Sequence, residues 1–211
     1  MNKEGTLYTI IFIFIVSFAF VFLLSMTNQA TIERVELNEE LARQAAILAA
    51  MGIDATGAEE IQEAFGRVAG DAESGLYVGQ VDGQTVYAKE FAGAGLWGTI
   101  SGVIAVSSDL EQLVGIEIVN DNETPGLGGR IKEPWFKNQF EGEQIPEDGI
   151  QVRALEGDGD PQKDNGVVDG ITGATRTSDS METIVNNQIE QFRSQDIQQQ
   201  IQELAASGGN A

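Results

Sequence analysis

The sequence predicts an antiparallel β-sheet with flanking helices, preceded by one transmembrane helix. Three observations predict it. Residues Leu7 to Met26 are an uncharged and nearly all apolar run, several β-rich segments follow with a hairpin signal between two of them, and an amphipathic helical pattern lies near the end of the 211 residues.

The apolar run, LYTIIFIFIVSFAFVFLLSM, is interrupted only by Thr9, Ser17, Ser25 and the amphipathic Tyr8. As a helix it is long enough to cross the hydrocarbon core of a bilayer, about 30 Å. It is apolar on every side, which sets it apart from a helix lying in the membrane surface. A cleaved signal peptide would have a shorter apolar core, and SMTNQA offers no small-x-small cleavage site. Residues 1–6 are therefore read as a short N-terminus and 7–26 as an uncleaved anchor. Lys3 precedes the span while Arg34 and Arg43 follow it. Long domains translocate largely regardless of charge, so the basic residues alone leave the orientation open.

From Thr31 the apolar residues Leu37, Leu41, Ala45 and Leu48 fall at helical spacing, predicting a second, amphipathic helix to Ala50 that Met51 to Gly57 breaks. Residues 31–57 are thus a helical linker. A short helix over Glu59 to Val68 follows, with Ile61, Phe65 and Val68 on one face, and GDAESG then changes the structure. LYVGQVDGQTVYAKEF reads as two strands around Asp82-Gly83, a strong hairpin signal. SGVIAVSS and LVGIEIVND are two further strands and pair most simply as antiparallel neighbours, Val114, Ile116 and Ile118 alternating as a half-buried strand requires. Glu147 to Gly170 is an acidic, loop-rich segment with one strand at Ile150 to Leu155. The last helix is expected from about Ser180, with Met181, Ile184, Val185, Ile189 and Phe192 toward the core and Asp179 with Glu182 as a capping box. Residues 196–211, DIQQQIQELAASGGNA, read as a frayed helix and polar tail, which leaves 58–195 as the domain proper.

Composition removes several classes of function. The chain has 33 Asp and Glu against 12 Lys and Arg, a formal charge of −21 that repels nucleic acid. It contains neither cysteine nor histidine, the ligands on which iron–sulfur clusters, most haems and most zinc sites depend. A redox role would need an organic cofactor.

Three stretches remain as candidates for chemistry. GDGDPQKDNGVVDG gathers Asp158, Asp160, Asp164 and Asp169, but placing Gly166 at the sixth position of a calcium loop puts Pro161 at the first, so it reads as a solvated acidic loop and no metal site is assigned. DNETPGLGGRIKEPWF, Asp121 to Phe136, fixes a turn at Thr124-Pro125-Gly126, and Gly128-Gly129 allows close backbone approach, yet it lacks the ending of a phosphate loop. DGITGATRTSDS, Asp169 to Ser180, spaces Asp169, Thr172 and Thr175 three apart and leaves the Thr175 hydroxyl open beside Gly173-Ala174, just ahead of a helix start. Free amides and the positive dipole end there favour a phosphate, although Thr and Ser are also ordinary caps.

The last stretch resembles the Asp-x-x-Ser/Thr-Gly-Ala-Thr signature at which a flavin transferase attaches FMN through its phosphate. Glu123-Thr124-Pro125-Gly126-Leu127-Gly128 resembles the second signature of the same family. That family is the FMN-carrying C subunit of the sodium-translocating NADH:quinone reductase and the related G subunit of the Rnf complex. GLWG, ETPGLGG and the Pro-Trp pair resemble the former. The resemblance implies an α+β FMN-binding domain outside the cytoplasmic membrane, held by one helix, with covalent FMN on Thr175. It implies an electron carrier whose partners are the other subunits of a membrane redox ion pump, with a flavin transferase for maturation. Asp169 and Thr172 would be read by the transferase or hold the attachment loop with Gly173 and Ala174, Thr177 and Ser178 would donate to the phosphate, and Arg176 would offset its charge. Glu123, Thr124, Leu127 and Gly128 would line the flavin, and Trp97 and Trp135 are read first as packing. An anchored, non-redox acidic binding module is the alternative of a different class.

Overall fold

The computed structural model describes residues 5–155 and 159–208, so Lys3, Asp158 and the last three residues of the expected tail lie outside the described residues. Contacts divide the chain into two compact units, Met1–Ala42 and Arg43–Ala211.

The first helix, α1, runs unbroken over Thr6–Ala50 and includes the apolar stretch, whose mean hydropathy reaches 2.8 over 18 residues. The sequence predicts two helices here. One forms because nothing between Met26 and Thr31 disfavours helix: the hydroxyls of Thr27 and Thr31 donate to the carbonyls of Leu23 and Thr27 one turn back, at 2.9 and 3.0 Å. The helix stops where predicted. Gly52 takes φ +79°, the Ile53 N–H bonds the Leu48 carbonyl at 2.9 Å and the Gly52 N–H bonds that of Ala49 at 3.0 Å, which is a Schellman ending.

In the second unit, β1 (Ala69–Asp71), β2 (Leu76–Val81), β3 (Gln84–Ala94), β4 (Thr99–Ser107) and β5 (Leu113–Asn120) form one antiparallel meander in chain order. The expected hairpin turns at Asp82-Gly83, both residues at positive φ, with Val81 opposite Gln84. Alternation along β3 divides the sheet between two cores. Val86 and Ala88 join Tyr77, Val103 and Ala105 against Ala46, Ile47, Ala50 and Met51 from the end of α1. Phe91, Leu76, Ile104, Ile116 and Ile118 pack on the opposite face with Met181, Ile184, Val185, Ile189 and Phe192. These five lie on α4 (Thr175–Arg193) as the helical spacing predicts, and the first core explains why residues 46–51 belong to the domain rather than to a linker.

The helix α2 spans Ala58–Phe65, close to the expected one. Loops on the second core's side carry a 3-10 turn at Gly128–Lys132, α3 (Pro134–Lys137), and a parallel pair of three-residue strands, β6 (Gln151–Arg153) and β7 (Val167–Asp169). Residues 195–208, expected to fray, form α5 (Gln195–Gly208), and Ile201 is buried in the second core. Ile197 and Leu204 pack partly buried beside it, so the apolar spacing at 197, 201 and 204 is the signal of a docked helix that the Gln-rich composition masks.

Candidate functional site

The loop from β7 into α4 carries the Thr-rich signature. Ile171 and Ala174 turn inward and are buried, while Thr172, Gly173 and Thr175 face solvent. The reversal between them is made at Gly173, whose φ of +82° other residues rarely adopt, and is closed by the Ala174 N–H on the Ile171 carbonyl at 2.9 Å. Thr175 is the first residue of α4, not a residue ahead of it. The expected start at Ser180 and the Asp179–Glu182 capping box are corrected: Asp179 sits in the helix, and Glu182 Oε2 accepts the Val152 N–H of β6 at 2.7 Å. The entry is instead closed from inside the first turn, where Ser178 Oγ accepts the Ile171 N–H at 3.0 Å and donates to the Ala174 carbonyl at 3.3 Å. Ala174 is the N-cap and makes no side-chain cap bond, so the Thr175 hydroxyl is not used as a cap.

Asp169 is almost fully buried, at 1% exposure, and its carboxylate accepts the N–H groups of Leu155 at 2.8 Å and Gly159 at 3.2 Å. It therefore ties down the acidic segment, which is not uniformly solvated as the sequence suggests. Gln139, which the sequence reading misses, completes this layer. Its Oε1 accepts the N–H of Asp169 at 2.7 Å and of Asp160 at 2.8 Å, and its Nε2 donates to the Asp169 carbonyl at 3.2 Å. β7 thus has β6 on one edge and a primary amide, standing in for a further peptide group, on the other. No local pattern signals a partner 30 residues away. Beside it, Glu143 is fully buried: Oε1 accepts the Gly166 N–H at 2.7 Å and Oε2 has no partner among the described residues. Burial raises its pKa above the ordinary carboxylate value, with the Gly166 N–H and Lys163 opposing the rise and Asp160 adding to it.

The fold brings the second signature to the first. Thr177 Oγ1 donates to Glu123 Oε2 at 2.7 Å across 54 residues, and Glu123 Oε1 accepts the N–H groups of Leu96 at 2.8 Å and Trp97 at 3.1 Å. Gly128 is buried against this pair, and Leu127 borders Gly173. The hydroxyls of Thr177 and Ser178, expected to reach a phosphate, are buried and bound elsewhere. At the helix entrance the donors left are the backbone N–H groups of the first turn, which have no partners within the helix. The exposed Arg176, which has no ion-pair partner among the described residues, lies beside them. Glu123 is likewise buried, at 6% exposure, and both oxygens of its carboxylate accept from protein donors. Thr124 and Leu127 are exposed and remain available. Trp135 is packing, as expected, with Arg130 over its ring at 5.0 Å and Phe136 against its edge. Trp97 is not, being 69% exposed on the turn that Glu123 holds. An exposed hydroxyl at a helix N-terminus, with the exposed Leu127 beside Gly173 and the exposed Leu96 and Trp97 tied to the same entrance through Glu123 and Thr177, fits a ligand with an anionic phosphate and a large apolar ring.

The comparisons agree with that chemistry. Residues 95–190, which contain both signatures, match the family described as FMN-binding domain. This part of the chain is therefore similar to FMN-binding domains. The chain is similar to the C subunit of Na(+)-translocating NADH-quinone reductase from Yersinia pestis, with 36% identity over 96 residues that cover 44% of this chain and 36% of that protein. The corresponding protein of Pseudomonas aeruginosa is 35% identical over 98 residues, covering 44% and 38%. The match therefore spans little more than a third of these relatives' length. Among solved structures, the C subunit from Parabacteroides distasonis superposes with a TM-score of 0.61 at 27% identity, covering 74% of this chain and 92% of that one. The Shewanella oneidensis NqrC structure, at 20% identity and a TM-score of 0.54, covers 72% and 91% and shares the fold.

Proposed function

We propose that the protein is a membrane-anchored electron carrier whose FMN is joined through its phosphate to Thr175, and that it works as the C subunit of a sodium-translocating NADH:quinone reductase. The observation that carries this reading is the placement of Thr175. Of the two threonines in the signature, it is the one at the first position of α4, with a hydroxyl turned to solvent that has no partner among the described residues, in a region that matches the FMN-binding domain family. An exposed hydroxyl is reachable by a flavin transferase after folding. The amides of the first helical turn would hold the phosphate oxygens, Arg176 would offset their charge, and Thr124 and Leu127 would border the ring. Asp169, Gly173 and Ala174 set the loop's shape, and Ser178 closes it. The bound flavin would supply the electron-transfer chemistry, while the protein supplies position and electrostatics. The domain would lie outside the cytoplasmic membrane, with α1 as the anchor and the other pump subunits as its partners.

The test is expression of Thr175→Ala and Thr172→Ala beside the natural sequence in a host that contains a flavin transferase, followed by in-gel flavin fluorescence after denaturation. The natural sequence and Thr172→Ala should fluoresce and Thr175→Ala should not. Because Thr175 makes no cap bond, its variant should lose less than about 0.5 kcal/mol of stability, so absence of fluorescence cannot be put down to unfolding. Fluorescence retained by Thr175→Ala, or absent from the natural sequence, would refute the reading.

A further inference from the structure

The buried carboxylate of Glu123 stands in a slot that two glycines leave open. A Cβ on Gly95 would lie 2.5 Å from Glu123 Oε1, and a Cβ on Gly128 would lie 2.7 Å from Oε2 and 2.5 Å from Thr177 Oγ1. All three separations are shorter than packed atoms allow. Neither glycine has a left-handed φ, so both are required for space and not for backbone freedom. Gly95 and Gly98 close a turn through the Gly95 N–H on the Gly98 carbonyl at 2.7 Å, and this turn displays Leu96 and Trp97 to solvent while their N–H groups point back to Glu123. The other carboxylate oxygen is held by Thr177, two residues beyond Thr175.

We propose that Glu123 is the positioning residue of the site. Through Oε1 it fixes the Leu96–Trp97 turn, through Oε2 and Thr177 it fixes the entrance of α4, and so it sets the separation between the apolar edge of the site and the attachment hydroxyl. This role rests on the FMN reading for its consequence, but the latch itself belongs to the protein without flavin. Three donors converge on one carboxylate, so removing the Thr177 hydroxyl frees the α4 side while leaving the two N–H bonds to hold the turn alone. With one of its anchors gone the carboxylate is no longer pinned in the slot, and the turn gains freedom.

The experiment uses the full chain in detergent, as the natural sequence, Thr177→Val and Thr177→Ser. In the unloaded protein, amide hydrogen exchange should show protection at Leu96 and Trp97 falling at least tenfold in Thr177→Val. Ile104 in the sheet should exchange as before, and Thr177→Ser, which keeps the hydroxyl, should restore the protection. In flavin-loaded protein, Thr177→Val should also lower the fluorescence anisotropy of the bound flavin, and Thr177→Ser should restore it. Unchanged protection at Leu96 and Trp97, an equal fall at Ile104, or unchanged anisotropy would each overturn the positioning role. If the natural sequence acquires no flavin, the proposed function fails by that result alone, and the exchange measurement still decides the latch.

Discussion

Replacing Gln139 by leucine removes an amide of similar size from beneath the attachment loop. The Gln139 side chain is 4% exposed and makes three hydrogen bonds, two of them to the backbone of Asp169. Without it the buried Asp169 N–H loses this acceptor, which costs about 1–3 kcal/mol, and losing the bond to the Asp169 carbonyl costs about 0.5–1.5 kcal/mol more. The Asp160 N–H lies where water can replace the lost acceptor, and the greater apolarity of leucine returns roughly 1 kcal/mol. The net loss is about 0.5–3.5 kcal/mol, with a central value near 2 kcal/mol. Urea unfolding of the full chain in detergent, followed by tryptophan fluorescence, should show the unfolding free energy lowered by that amount, as a lower midpoint at unchanged slope. Amide exchange at Gly159 and Asp160 should quicken beyond what the global loss explains, because the tie from Asp169 to the acidic segment loosens with β7. A change below about 0.5 kcal/mol, within the usual range for ordinary surface positions, would refute the assignment of Gln139 as the second edge of β7.

Gly128→Ala should destabilise the domain by about 1–3 kcal/mol, because its Cβ meets Thr177 Oγ1 at 2.5 Å and Glu123 Oε2 at 2.7 Å; a thermal melt within about 0.3 kcal/mol of the natural sequence would contradict it. Glu143→Gln should raise thermal stability at pH 7. The pKa of Glu143 is raised in the folded state, so the unfolded chain loses that proton first as pH rises, and stability present below about pH 4.5 is lost as pH climbs through the folded value. The gain from glutamine should therefore vanish on acidification to pH 4, and a gain that is constant with pH would show that burial of the charge is not its source.

The elements with long, regular patterns were legible in the sequence. The apolar run, the Asp82-Gly83 hairpin, the strands now called β4 and β5, and the core face of α4 all follow from periodicity or turn chemistry over six residues or more. β1 and β7 have three residues each, too few for alternation to show, and their pairing depends on residues brought together only by the fold. The start of α4 was hidden because the sequence offers a better-looking cap at Asp179, whereas the actual closure uses Ser178 from within the helix. For the site, the signature residues were readable as local motifs, and the fold does bring the two motifs together. What each side chain does was not readable. Thr177, Ser178 and Glu123 look like ligand contacts in a one-dimensional motif, but Thr177 and Glu123 meet in a contact across 54 residues, and Ser178 turns back to Ile171 and Ala174.

The most direct measurement of the central claim is peptide mass spectrometry of the trypsin-digested protein from a host with a flavin transferase. Cleavage after Lys163 and Arg176 releases Asp164–Arg176, in which Thr172 and Thr175 are the only hydroxyl-bearing residues. The account predicts that this peptide carries the mass of one FMN less water, and that fragment ions place it on Thr175. An unmodified peptide, or an increment that maps to Thr172, would contradict it.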